Sequence, residues 1–518
     1  LSSSLLETYI PYNQGGKARI LFLFEVASFW PSWESVYEAF QKDKRADVRL
    51  VLMSRRAIER SQLVSAKSFL EEKGYAYELD QDFDFRGYRP HVVFMQSPYD
   101  LTFHTPDMLA LSFRKQGSRV VYIPYGIEIA DTVTARRDHF QNFVVENCWR
   151  IYTSSKSMAE EYKKHCMNYR AVRALGSPKF DYWSGGTKEL LPIAAKAHAQ
   201  GRQVVLWKMH FSKDIIDKGE RVMITPDLDE YLDFARSLDS YENLEFIFLP
   251  HPKILHGIEA YDVKGDDELI KKTVALVALL RSQENVLIYE GDDYRPALAS
   301  ADAIMLDRSG TMVEAAMTGV PVLFTENENY REVWTPPVKA LTGGFAKGTG
   351  AKDMEKFLAS VQAGETEAYL GYKEALEQEF PKADGNCGFR IKEDVLAGLQ
   401  EAPRQIPRIA LYATGRICRY YLEQKDWQKG IEIAAVIDSN PKNWGKEFCG
   451  YIVAPPEQLK EMDYDALVIM SDFFYHEIKK SLVYEMRLEE RKIWRLDEFV
   501  CEIRRAGENW EDSIHHGV

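Results

Sequence analysis

Ala301-Asp302-Ala303-Ile304-Met305-Leu306-Asp307-Arg308-Ser309-Gly310-Thr311-Met312-Val313-Glu314-Ala315-Ala316-Met317-Thr318-Gly319-Val320-Pro321-Val322-Leu323-Phe324 carries the sharpest structural signature in this 518-residue chain. An apolar run ends at the carboxylate of Asp307, as a buried strand does at its carboxyl edge. Arg308-Ser309-Gly310-Thr311 interrupts it, a helical stretch follows, and Gly319 closes that stretch before apolar character resumes at Pro321. Strand, loop, helix, strand is the unit of a parallel sheet. Ligands in open sheets of this kind collect beyond the carboxyl ends of the strands, here the loop 307–311. A helix start offers unpaired N–H groups and a partial positive charge, which suit a phosphate. Ser309 and Thr311 add hydroxyl donors, and Gly310 removes the side chain that would block close approach. Asp307 and Arg308 belong to the same expected nucleotide site, and Glu314, one turn further, is expected to meet a ribose hydroxyl. The plainer alternative is that Ser309 or Thr311 merely caps a helix.

Upstream, Phe246-Ile247-Phe248-Leu249 is a second apolar run, ended by Pro250-His251-Pro252. Pro252 forbids simple continuation of the ladder, so His251 is expected at the sheet's edge. An imidazole there would hold a diphosphate and stabilise charge on a departing nucleotide, which makes His251 the leading catalytic candidate. Val204-Val205-Leu206-Trp207 repeats the pattern and is followed by Lys208 and His210, second-rank candidates for the same ligand.

Working outward, apolar runs alternate with amphipathic stretches along most of the chain. Strands are expected at 19–26, 48–53, 91–95, 119–123 and 150–153, with helices such as 32–42 and 61–73 between them. After breaks at Gly176-Ser177-Pro178 and Gly185-Gly186 the pattern restarts, with strands at 203–207, 245–249, 285–289, 301–306 and 321–324 and a last helix at 389–399. Glu401-Ala402-Pro403-Arg404-Gln405-Ile406-Pro407 reads as a linker, and a third α/β unit follows with strands at 408–412, 433–437 and 466–470. The fold class is therefore α/β, as three Rossmann-like units in series: residues 1–185, 186–400 and a smaller one at 401–518.

Composition narrows the class of function. A net charge of −13 argues against nucleic acid or anionic lipid as bulk partners, and a hydrophobic content of 45% suits packed domains. No run of about 18 apolar residues is present, so no spanning segment is expected. The six cysteines are widely spaced, without C-x-x-C, and read as reduced thiols of a cytoplasmic protein, with peripheral contact at the inner membrane face left open. The opening Leu-Ser-Ser-Ser-Leu-Leu lacks the features of a signal peptide, and the missing initiator Met reads as a trimmed or partial chain.

Two clusters of polar and aromatic residues mark strand ends of the first unit. Glu25, Ser28, Trp30 and Trp33 follow its first strand, and Ser97, Tyr99, Asp100 and His104 follow its third. Aromatics mixed with carboxylates suit a polyol or sugar surface. An acceptor hydroxyl must lose its proton, so Glu25 and Asp100 are the candidate bases, and the sequence does not choose between them. Asp80-Gln81-Asp82, Asp292-Asp293 and Gly265-Asp266-Asp267-Glu268 read as solvated loops rather than metal sites. In the third unit Ala413-Thr414-Gly415-Arg416-Ile417-Cys418 stands where a dinucleotide fold has G-x-G-x-x-G, keeping only Gly415. Asp438 follows the next strand at about the spacing of a ribose-binding acid. Gly415 and Asp438 are thus candidates for an accessory nucleotide.

These motifs resemble the CDP-glycerol glycerophosphotransferase family, the teichoic-acid polymerases and related capsule enzymes. The likeness spans about residues 19–399 and rests on Leu175-Gly176-Ser177-Pro178-Lys179-Phe180-Asp181, on His251-Pro252, on 301–324, and on Asp384-Gly385-Asn386-Cys387-Gly388-Phe389-Arg390-Ile391. It implies a GT-B fold, two Rossmann-like domains facing a cleft, with the donor nucleotide on the second and no metal or redox cofactor. It makes His251 a pyrophosphate ligand and Ser309 and Thr311 phosphate ligands, in place of the family's Ser-Ser pair. Two departures stand out. The family's Trp-His-Gly is matched by Tyr122-Ile123-Pro124-Tyr125-Gly126, with Tyr125, a poor base at neutral pH, for the histidine. Gly310 replaces the second serine.

The expected function is a transferase moving a polyol phosphate, such as glycerol or ribitol phosphate, from a CDP-activated donor to a cell-surface glycan or wall polymer. The alternatives are a GT-B glycosyltransferase using a UDP-, GDP- or CMP-sugar, a catalytically silent scaffold, and a UDP-sugar 2-epimerase.

Overall fold

The computed structural model describes residues 9–13, 15–54, 60–100, 104–212, 214–217, 220–256, 267–400, 407–424 and 431–500. Residues 401–406 of the expected linker, Gly265 and Asp266 of the acidic loop, and Cys501 lie outside this set.

Seven strands form the first sheet: β1 (Ala18–Phe24), β2 (Ala46–Leu52), β3 (Glu78–Leu79), β4 (Val92–Met95), β5 (Arg119–Tyr122), β6 (Arg150–Tyr152) and β7 (Val172–Arg173). Their order is β3-β2-β1-β4-β5-β6-β7, and every pairing is parallel. β1 and β4 read as nearly unbroken apolar runs because both faces are covered, which is the signature of a doubly wound parallel sheet. Phe22 stacks on Phe94 across the β1–β4 pair at 4.3 Å, fixing the sheet's centre.

The second sheet is built from β8 (Gln203–Met209), β11 (Leu244–Pro250), β12 (Val286–Ile288), β13 (Ala303–Leu306), β14 (Val322–Thr325) and β15 (Ala346–Gly348), in the order β12-β11-β8-β13-β14-β15 and wholly parallel. A hairpin of β9 (Asp214–Asp217) and β10 (Glu220–Met223) leaves the end of β8. The third sheet holds β16 (Arg408–Tyr412), β17 (Glu432–Ile437), β18 (Glu447–Phe448), β19 (Tyr451–Ala454), β20 (Ala466–Ile469) and β21 (Ile493–Arg495), ordered β18-β19-β17-β16-β20-β21. It is mixed, since the short β18 runs antiparallel to β19.

The helix Cys387–Leu399 packs against the first sheet rather than the second, with Ile391, Val395 and Leu396 in the same apolar cluster as Ile20 and Phe22. Gly388 permits this. A Cβ there would lie 2.4 Å from the backbone of Ser35, so the two helices approach closely only without a side chain. Asp181 accepts from the backbone N–H groups of Cys387 and Gly388 and from Ser35 Oγ, capping the helix from a distant segment. Arg390 makes a bidentate pair with Asp384 and donates to the carbonyls of Leu175 and Lys382. The two motifs 175–181 and 384–391 are thus a clasp that returns the chain to the first sheet.

Two further contacts join the first and second sheets. Residues 128–131 pair with 333–335, through an antiparallel bridge of Ala130 and Trp334 and bonds from Thr335 to Glu128 and Ile129. Arg295 binds Asp293 in bidentate fashion and also pairs with Glu34. Asp292, expected to be solvated, is exposed, with Ser65 Oγ donating to it at 2.7 Å, whereas Asp293 beside it is held by Arg295. Asp80 also departs from that reading: it is buried and accepts from the backbone N–H of Ser54. Arg170, beside β7, donates to the carbonyls of Leu459 and Met462 and lies 4.9 Å from the Tyr464 ring, docking the third sheet on the first. The five described cysteines are free thiols, and among the described residues no helix is long and apolar enough to cross a membrane.

Candidate functional site

The second sheet reverses its strand order between β8 and β13, because the chain leaves β8 toward β11 and returns on the other side at β13. A crevice opens at the carboxyl ends of such a pair. His210 follows β8, His251 follows β11, and the loop 307–311 follows β13. All three segments lie at one edge of one sheet, held in register by bonds from His251 N to Met209 O and from His210 N to Asp307.

His251 and His210 have ring centroids 5.0 Å apart, and Phe211 packs edge-on against His251. The backbone N–H of Lys253 donates to His251 Nδ1 at 3.2 Å, so that nitrogen is an acceptor and the proton resides on Nε2. Burial, followed by the nearby Lys208 and Lys253, pushes the His251 imidazole down to about 3. His251 is therefore a neutral donor through Nε2, not a cation. His210 has the opposite tautomer. Its Nδ1 meets the Phe211 carbonyl at 2.8 Å, which requires a proton there and leaves Nε2 as an acceptor. Burial, reinforced by Arg308 and His251, holds it well below the usual histidine range. His210 thus suits a ligand hydroxyl better than a phosphate oxygen.

In the loop, Ser309 Oγ and Thr311 Oγ1 lie 2.8 Å apart, and Thr311 N donates to Ser309 Oγ. A Cβ on Gly310 would meet nothing within 4 Å, so its backbone borders open space. The helix beyond runs only over Met312–Met317, so the hydroxyls and the imidazole carry the electrostatics more than the helix start does.

Four other expected ligands are committed elsewhere. Asp307 is fully buried, and its two oxygens accept from His210 N at 2.8 and 3.0 Å, with the Tyr231 hydroxyl at 3.4 Å. It positions the His210 loop. Lys208 is also buried and donates to the Met209 carbonyl. Burial pulls the lysine down and pushes the aspartate up, while their mutual attraction opposes both shifts. Arg308 forms a bidentate pair with Glu332 at 2.8 and 2.6 Å. Glu314, expected at a ribose, lies 2.9 Å from Lys179 Nζ and accepts from the Tyr294 hydroxyl. Lys179 also donates to the Tyr125 carbonyl, so this group ties the first sheet's loops to the second.

On the first sheet, Glu25 and Asp100 are both sealed from solvent and joined through His104, whose Nε2 lies 3.0 Å from Glu25 and Nδ1 2.8 Å from Asp100. Burial alone would lower His104, but the two carboxylates override it and hold the imidazole at about 9. Tyr125 stacks on Phe29 at 3.9 Å and shares a 2.8 Å hydrogen bond with the Tyr99 hydroxyl. Burial lifts its phenol well above the usual range, which removes it as a base. Gly126 beside it has open space where a side chain would stand. Gln96, at the end of β4, escaped sequence reasoning although its place at a strand's carboxyl end is the same signal that singled out His251.

Asp131, Glu161 and His165 bring three ligand-type atoms within 4.8 Å of one another. Arg136 at 2.5 Å and Lys164 at 3.5 Å already neutralise the two carboxylates, so the group is an ion-pair network. In the third sheet, Gly415 precedes the helix Arg416–Glu423. Asp438 is not available to a ribose: Thr414 N and Oγ1 take one oxygen and Asn440 N the other. Ala413, at φ 81°, occupies the left-handed region where glycine would be relaxed.

A family model described as C2185-like, N-terminal matches residues 405–494. No curated protein matches the chain. Among solved structures, it is similar to a UDP-N-acetylglucosamine 2-epimerase structure from Listeria monocytogenes, at 13% identity over 75% of this chain and 98% of that one, with a TM-score of 0.51. The S. aureus MnaA–UDP co-structure gives 14% identity, 75% and 99% coverage and a TM-score of 0.50. A wall teichoic acid polymerase TagF structure gives 12%, 74% and 89%, and 0.48. The fold is GT-B. At this identity the likeness concerns architecture alone. The third, mixed sheet is the part matched by the family model.

Proposed function

We propose that this GT-B protein is a transferase that binds a nucleotide-activated donor at the carboxyl edge of the second sheet. The transferred group in this reading is a polyol phosphate from a CDP-activated donor, and the acceptor is a surface glycan or wall polymer. One observation carries it: a neutral imidazole with Nε2 as donor, His251, shares the strand-reversal edge with the Ser309-Gly310-Thr311 loop. A diphosphate needs several donors and room beside backbone, and this edge offers both. Catalysis then comes from positioning and from hydrogen bonds to the departing nucleotide phosphate. Tyr125, in the place of the family's histidine and without basic character, favours a second reading in which the transferred group is a sugar.

A thermal-shift panel of CDP-glycerol, CDP-ribitol and UDP-, GDP- and CMP-sugars tests the proposal, since a ligand of the native state stabilises it by mass action. Cytidine compounds are expected to raise the melting temperature, and His251→Ala to abolish the rise. A phosphodiester-linked product marks polyol-phosphate transfer, and a glycosidic product marks the sugar reading. Turnover of a UDP-sugar without any acceptor, or an equal response in His251→Ala, overturns the transferase reading.

A further inference from the structure

The two imidazoles at the strand-reversal edge of the second sheet have opposite polarity. His251 Nδ1 accepts from Lys253 N at 3.2 Å, so its Nε2 carries the proton and donates. His210 Nδ1 donates to the Phe211 carbonyl at 2.8 Å, so its Nε2 carries a lone pair and accepts. The ring centroids are 5.0 Å apart. Both residues are half-buried rather than sealed. Among the described residues nothing bonds to either Nε2, and neither atom is one of the buried polar atoms left without a partner. Both nitrogens therefore lie open to a ligand.

Backbone fixes these polarities. A carbonyl cannot donate and an N–H cannot accept, so turning over either tautomer forfeits its bond. His210 N is anchored to both oxygens of Asp307 and His251 N to the Met209 carbonyl, which holds the two rings on neighbouring strand ends. A phosphate oxygen is only an acceptor. It suits His251, but at His210 it would set lone pair against lone pair. A metal cation suits His210 alone, because the protonated Nε2 of His251 has no lone pair to give. Both nitrogens are satisfied by a ligand that places a hydroxyl close to a phosphate. A nucleotide diphosphate ester does so when the carbon next to its ester carbon bears a hydroxyl. Glycerol and ribitol phosphates meet this condition, and so do sugars with a hydroxyl beside the anomeric carbon.

We propose that His210 Nε2 selects the donor by accepting from the hydroxyl on the carbon next to the phosphate-bearing one, while His251 Nε2 donates to the diphosphate. This inference rests on the donor reading above and narrows its substrate class. Nucleotide esters of polyols and of sugars are admitted where that hydroxyl is present. Esters that lack it, such as those of choline or of 2-deoxy sugars, leave the His210 acceptor unmet and are disfavoured. His210 acts here on specificity: it touches the transferred group beside the bond that breaks and takes no proton from it.

The first measurement needs only the native protein. Dissociation constants are compared for CDP-glycerol and the CDP ester of 1,3-propanediol, which differ in that hydroxyl alone, and for UDP-glucose and UDP-2-deoxyglucose. In the pair that binds, the hydroxylated member is expected to bind about tenfold tighter, the scale of one hydrogen bond. His210→Phe keeps a flat ring without the acceptor. It should bring the two members within about twofold of each other by weakening the hydroxylated one, the non-additivity of two groups in contact. His210→Gln, whose amide oxygen can stand near the place of Nε2, should restore the preference. A merely structural role would weaken both members alike in His210→Phe and preserve their ratio, which overturns the proposal. Equal affinities in the native protein also overturn it and leave the donor reading intact. A preference for CDP over 2′-deoxy-CDP that disappears in His210→Phe would assign the acceptor to the ribose, again overturning it. If none of these esters binds, the donor reading itself falls, and this inference falls with it.

Discussion

The Lys179 ammonium lies 2.9 Å from a carboxylate oxygen of Glu314, with both side chains almost wholly buried between the first and second sheets. The Tyr294 hydroxyl donates to the other carboxylate oxygen, and Lys179 reaches on to the Tyr125 carbonyl. Breaking a buried pair by removing one partner leaves an uncompensated charge and typically costs about 3–5 kcal/mol. Lys179→Met is expected to destabilise the protein on this scale, read as a fall in melting temperature. Adding Glu314→Gln to that variant should recover a large part of the loss, because the stranded charge disappears. A double variant no better than Lys179→Met alone would show that the two groups are not coupled.

Protonation of His251 supplies a second expectation. Its imidazole is held at about 3, so it stays neutral across the physiological range. A diphosphate placed beside Nε2 would pull that value up, and binding near pH 5 should take up protons. Calorimetry of CDP and UDP binding in buffers of different ionisation enthalpy measures this directly. The stability consequence has a definite sign. Because the folded value is depressed, the contribution is complete above about 6.5 and lost as pH falls toward 3. His251→Asn should flatten that acid limb, and an unchanged limb would contradict the neutral assignment.

Much of this architecture was legible because parallel strands buried on both faces print themselves as apolar runs. Leu306-Asp307 and Leu249-Pro250-His251 mark their carboxyl ends by an abrupt change of residue type. The two-residue strands Glu78–Leu79 and Val172–Arg173 have no run long enough to show a period, and the hairpin Asp214–Asp217 with Glu220–Met223 carries no strong turn signal. Site residues were legible as positions, not as contacts. Asp307 and Glu314 both fall where a ligand is expected, yet one is spent on His210 N and the other on Lys179, a residue from a different sheet. The helix Cys387–Leu399 has an amphipathic pattern that says it packs, but nothing local says on which sheet. Asp181, far upstream, decides that by capping it.

Docking of the third sheet draws on polar contacts of Arg170 beside the packing of Met167 on that sheet's core, which opens it to a sharp test. Arg170 supplies two hydrogen bonds to carbonyls at Leu459 and Met462 and a cation–π contact with Tyr464. Arg491 adds a 3.4 Å contact to Asn168. Arg170→Ala removes these interactions, together with its 4.0 Å pair with Asp463, and leaves both carbonyls without this donor. Cleavage within 401–407 under limited proteolysis should quicken, while a thermal shift by nucleotide at the second sheet should persist. Protection of 401–407 equal to that of the native protein would mean that other contacts hold the unit in place.

Alkaline stability should depend on His104. Its imidazole is raised to about 9 by Glu25 and Asp100, which outweigh the opposing effect of burial. A histidine whose folded value exceeds its unfolded one contributes stability that is complete below the unfolded value, near 6.5, and is lost as pH rises through the folded one. The window for His104 is therefore about pH 6.5 to 9, and its contribution is on the order of 3 kcal/mol. In that window Glu128, raised by burial to about 7, works in the same direction, since it too binds its proton more tightly in the folded state. Melting temperature should fall for both reasons between pH 6.5 and 9. His104→Gln removes the histidine's part and leaves that of Glu128, so its decline should be shallower and concentrated below about pH 7.5. Parallel curves for the two proteins across the whole window would mean that His104 is not the charged member of a buried carboxylate–imidazole–carboxylate row.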